Sequence, residues 1–126
     1  MALFATIVIV GLIVVAAAFI IFEPPAKTPA VQDFIAKLEK GDVALSDLAP
    51  GLNLLRVQAE AIGGPERSRV YKAALRILER HPESTEARVF ALEVGRFYYS
   101  YDRKGGVPTV YDEAAIANDI AARSGK

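Results

Sequence analysis

The sequence predicts an all-α protein. One N-terminal transmembrane helix over residues 1–22 is followed by a proline-rich linker over 23–30. A small helical-hairpin domain of about five helices then covers 31–126. Three observations carry this. From Ala2 to Phe22 the chain has no charged residue, Asn, Gln or Pro. After the linker, apolar residues recur at helical spacing, as in Val31, Phe34, Ile35 and Leu38. No segment alternates with period two, so no strand is expected.

The opening stretch, Leu3 to Phe22, is rich in Ile, Val, Leu and Phe. As a helix at 1.5 Å per residue it would cover about 30 Å, the thickness of a bilayer's hydrocarbon core. In lipid the backbone must satisfy its own hydrogen bonds, so helix is imposed despite the β-branched residues. A core helix is disfavoured because no polar face exists. Ala16 and Ala18 offer an A-x-A-like cleavage pattern. The apolar run continues past them to Phe22, however, and no Lys or Arg precedes it. The expectation is an uncleaved signal-anchor. Lys27, Lys37 and Lys40 follow the span, so the positive-inside rule places the C-terminal domain in the cytoplasm.

Pro24, Pro25 and Pro29 make the linker short and stiff. Thr28 as N-cap and Pro29 at the first position open a helix that runs to Lys40 and stops at Gly41. Asp42 to Pro50 reads as a connector, with one turn around Leu45 and Leu48. A second helix covers Leu52 to Ile62 and ends at Gly63-Gly64. Pro65 opens a third, closed by His81-Pro82 after Arg80. A fourth covers Thr85 to Tyr101, and Asp102 to Pro108 is a loop. Thr109 with Asp112 three positions on is a capping-box signature for a last helix to Arg123.

Gly51 to Pro82 forms a helix, a Gly-Gly-Pro turn and a helix ending in LERHP. The next pair contains VGRFY, with Val94, Gly95 and Tyr98, and then YDEA, with Ala114 and, seven positions on, Ala121. Over residues 51–124 this resembles tetratricopeptide-repeat helical hairpins. Gly95 and Tyr98 match that family's L-G-x-x-Y spacing, and Ala114 matches the small residue of its second helix. The resemblance implies stacked helical hairpins and the binding of other proteins.

No reaction chemistry emerges. The chain has no Cys, which excludes disulfides and thiolate metal sites. Its one His, His81, sits at a helix end, and no carboxylate spacing completes a metal site around it. IGGPERSR lacks both phosphate-loop patterns, and nothing beyond position supports an anion site with Arg67 at that helix start. No nucleophile-elbow pattern is present. With 15 basic and 15 acidic residues the net charge is zero, which argues against nucleic acid as a partner.

Two surface features remain. Arg69, Lys72, Arg76 and Arg80 make a basic stripe on the third helix, opposite Val70, Ala74, Ile77 and Leu78. Residues 67–104 carry a net +4, while 23–66 carry −3. Such a stripe suits anionic lipid headgroups or an acidic partner, or it is a solvated face. On the fourth helix, Phe90, Val94, Phe97 and Tyr101 share one face, and Ala87, Ala91 and Tyr98 the next. These read as a helix buried between neighbours. Gly95 within it points to the close approach of another helix. Tyr99 falls off both faces and is the candidate exposed aromatic contact.

The expectation is therefore a single-pass membrane protein whose helical domain binds other, membrane-associated proteins at the bilayer surface. The alternative is a structural accessory subunit of a large membrane complex, its span packed against other spans. Neither catalysis nor a cofactor nor a metal is expected. The expected partner contacts are Arg69, Lys72, Arg76, Arg80 and Tyr99.

Overall fold

In the computed structural model the described residues are 26–101 and 106–124. They hold five α-helices: α1 (Pro29–Lys40), α2 (Leu48–Val57), α3 (Gly64–Arg80), α4 (Thr85–Tyr99) and α5 (Val110–Arg123). Two 3-10 turns, Leu45–Asp47 and Ala59–Ala61, flank α2.

The helix ends follow local chemistry. Thr28 accepts from the Val31 N–H, and Gly41 closes α1 in the left-handed region at φ 78°. Its N–H and that of Asp42 donate to the carbonyls of Leu38 and Lys37 at 3.1 and 3.0 Å, which satisfies the helix end. Ser84 caps α4 by accepting from Ala87. At α5, Thr109 accepts from Asp112 N–H at 3.1 Å and Asp112 accepts from Thr109 N–H at 2.8 Å, a complete capping box.

The second helix differs from expectation. It starts at Leu48, four residues early, and runs through Pro50-Gly51. Pro50 falls in the first turn, where its missing N–H has no intrahelical acceptor anyway. Gly51 is required for packing, because a Cβ there would overlap the Phe34 ring of α1. The helix also ends early, at Val57, because the next residues are drawn into other contacts. Gln58 accepts through its side chain from the Thr28 N–H at 2.8 Å.

The helices form two layers. α3 lies between α1 and α5, while α2 packs beside α4, and α3 against α4 is the most extensive contact between them. The core runs through both, with Leu38, Leu55, Val70, Leu78, Phe90 and Ile116 almost wholly shielded. α4 is embedded among α2, α3 and α5. Close packing with α5 depends on Gly95: a Cβ there would stand 3.0 Å from Ile116 Cγ1 and Cγ2 and 3.1 Å from the Tyr71 ring. Ala114, the small residue of the tetratricopeptide resemblance, is exposed instead of packed.

The membrane part of the sequence reading is corrected. Among the described residues no helix is long and apolar enough to cross a membrane. The longest, α3, has 17 residues and bears charge on every turn, including Glu66, Arg69, Lys72 and Arg76. The segment expected to span, Ala2 to Phe22, lies outside the described residues. A fold with a transmembrane helix, a signal-anchor and single-pass membrane localisation are therefore unsupported. What stands is an all-helical domain.

Candidate functional site: the groove between α2 and α4

Where α2 and α4 lie side by side, two cavities open that share Leu52 in their walls. One, of about 220 Å³, is apolar and lined by Leu48, Leu52, Val89 and Phe90. Val89 is 48% exposed at its edge. The other, of about 690 Å³, is lined by Leu52, Arg56, Arg67, Arg96, Phe97 and Tyr101 among others, and reaches Gly106 and Pro108. Together they form one groove, apolar at one end and charged and aromatic at the other.

A chain of ion pairs crosses its floor. Arg56 of α2 meets Glu93 of α4 at 2.6 Å. Glu93 also meets Arg96 at 2.8 Å, and Arg96 meets Glu113 of α5 at 2.8 Å. The hydrogen bond to Glu113 and the nearby carboxylates raise the Arg96 pKa above its ordinary value. The chain ties three helices together, and every charge in it is opposed by another.

Arg67 is different. It is 8% exposed, and its guanidinium is held by carbonyl oxygens alone. Nε donates to Ile62 at 2.8 Å, Nη1 to Phe97 at 2.9 Å and Nη2 to Ala59 at 2.6 Å. Its Cζ lies 3.8 Å from the Phe97 ring centre and 4.6 Å from that of Tyr101, both within cation–π range. Among the described residues no acidic oxygen pairs with it. Burial accordingly lowers its pKa, opposed by the Tyr101 phenol. The sequence carried a signal for this: Arg67 falls on the apolar side of α3, in register with Val70, Ala74 and Leu78. Its acceptors could not be read from side-chain pattern, because they are backbone.

The structure disperses the partner contacts expected from sequence. Arg69 pairs with Glu39 of α1 at 3.0 Å and with Glu66 at 3.8 Å, so it is neutralised within the domain. Arg80 lies over Gly41, where a Cβ would meet its guanidinium. Lys72 and Arg76 are exposed and have no ion-pair partner among the described residues. Tyr99 is half-buried. Its hydroxyl donates to Asp119 at 3.2 Å, and the Tyr71 hydroxyl donates to the same oxygen at 2.8 Å. Tyr71, Tyr98 and Tyr99 form an aromatic cluster with ring centres 5.0–5.8 Å apart. Burial, then the hydrogen bond to Asp119, push the Tyr71 phenol far above its ordinary value; burial does the same for Tyr99 to a smaller extent. The cluster is internal structure rather than an exposed contact.

Among the described residues no group of three His, Asp or Glu could hold a metal ion. No family model matches the chain, and no curated protein or solved structure is significantly similar to it.

Proposed function

We propose that this chain is a helical-hairpin protein-interaction module and that it holds a segment of another protein in the groove between α2 and α4. The observation that carries this is the groove itself. An apolar cavity and a larger polar one adjoin along one helix pair, which suits a bound chain with side chains of both kinds. The resemblance of residues 51–124 to tetratricopeptide hairpins points the same way.

The test is a selection from a random 12-residue display library against the immobilised full-length chain. Peptides should be enriched that bind the native chain and fail to bind Val89→Glu. Val89 is half-exposed, so the change places a charge at the mouth of the apolar cavity without disturbing the core. Enrichment of no peptide, or peptides indifferent to this change, would sink the reading.

A second reading, a structural subunit of a larger assembly, is favoured by one feature. Val110 and Tyr111 at the start of α5 are 82% and 86% exposed, next to Val107 at 67%. A subunit interface would cover them, and Tyr111→Ser would then release the chain from the assembly.

A further inference from the structure

Arg67 is the one cation lining the groove with no acidic partner among the described residues, and the lining carboxylates Glu60 and Glu86 are not paired with it. A buried arginine is ordinarily paired with an acid. Arg67 is 8% exposed and has carbonyl partners only. The other two cations of the groove wall, Arg56 and Arg96, both face Glu93. A guanidinium carries five N–H donors, one on Nε and two on each terminal nitrogen. Nε, Nη1 and Nη2 each make one bond. One donor on each terminal nitrogen is therefore left over among the described residues. The Arg67 side chain lines the larger cavity, with the Phe97 and Tyr101 rings beside its guanidinium.

The second element is spacing. Phe90 lines the apolar cavity and Phe97 the charged one. Seven residues of helix separate them, about 10 Å at 1.5 Å per residue. A bound segment in the polyproline II conformation rises about 3.1 Å per residue and returns a side chain to the same face every third residue, so three residues cover about 9 Å.

Deepening the proposed function, and resting on it, we infer that the groove reads an acidic side chain. A Glu or Asp of the bound segment offers its carboxylate to the two free N–H groups of Arg67, three residues from an apolar side chain seated between Leu48 and Phe90. The carboxylate supplies the charge that the domain withholds from Arg67. The Phe97 and Tyr101 rings shield the pair from water, which strengthens it.

Arg67 also holds the fold, so the decisive change is made on the peptide. The peptides from the display selection are sequenced and the tightest is synthesised in two forms, Glu (or Asp) and Gln (or Asn). Each is titrated against the full-length chain by fluorescence polarisation. The selected sequences should share an acid three positions from Leu, Ile, Val or Phe. The neutral form should bind about ten- to a hundredfold more weakly, the value of a charged hydrogen bond. The same ratio should persist in Lys72→Gln/Arg76→Gln, whose cations lie on α3 away from the groove wall. Equal binding of the two forms overturns the inference while leaving the peptide groove intact. A ratio that vanishes in the double variant also overturns it, because the acid is then read by the basic face. Failure to select any peptide removes the proposed function itself.

Discussion

Arg67 donates from Nη1 to the carbonyl of Phe97 at 2.9 Å and lays its guanidinium 3.8 Å from the centre of the same residue's ring. One side chain thus joins the start of α3 to the end of α4, and through Ala59 and Ile62 it also holds the turn after α2. Arg67→Leu would leave the carbonyls of Ile62 and Phe97 with no partner, while that of Ala59 would keep only the Ile62 N–H. The expected loss is about 2–4 kcal/mol of unfolding free energy in urea denaturation of the full-length chain. A loss under about 0.5 kcal/mol, the range of an ordinary surface change, would contradict the structural part of this account.

Gly95 faces Ile116 across α4 and α5. In a solvent-exposed helix Gly→Ala stabilises by about 1 kcal/mol. Here the added methyl meets two Ile116 carbons at 3.0 Å, so Gly95→Ala should destabilise by about 1–3 kcal/mol. In an Ile116→Ala background the penalty should shrink, with the Tyr71 ring at 3.1 Å the contact that remains. A double-mutant cycle on denaturation midpoints reads the coupling directly.

The Tyr71 phenol has its pKa raised by burial and by its bond to Asp119, and Tyr99 follows in the same direction. The unfolded phenol titrates near about pH 10. The folded state therefore keeps its protons when the unfolded chain loses them. The stability from this site is complete below about pH 10 and is lost as the pH rises above it. Tyr71→Phe should flatten the fall in stability above about pH 10. An unchanged slope would show that the site does not control alkaline unfolding.

Glu93 stands between Arg56 and Arg96 at 2.6 and 2.8 Å. These pairs are partly exposed, so Glu93→Gln should change stability by less than about 1 kcal/mol. It also leaves the groove more cationic. Acidic peptides from the selection should bind the variant more tightly, with a steeper dependence on salt. Weaker binding would place Glu93 itself in contact with the segment.

Much of this domain was legible because it is written in neighbouring residues. Thr28 and Gly41, or Thr109 and Asp112, cap helices through bonds within a few positions, and the apolar stripe of α1 is buried as its spacing implies. Pro50-Gly51 misled because a break signal and a first-turn position look alike until Phe34 is placed against Gly51. Tyr99 misled because a helical wheel allows α4 two buried faces, whereas three neighbours surround it. Arg69 and Glu39, thirty positions apart, could not be matched without the packing of α1 on α3. The groove was illegible for the same reason. It exists only where α2 and α4 come together, and its distinctive cation is bound by backbone atoms.

The most direct test of the central claim is amide chemical-shift mapping on the ¹⁵N-labelled full-length chain during titration with the selected peptide. Binding in the groove predicts shifts concentrated at Leu52, Arg56, Val89, Glu93, Phe97 and Tyr101, with Lys72 and Arg76 unmoved. Shifts centred on Lys72 and Arg76, or on Val110 and Tyr111, with the groove residues silent, would contradict it.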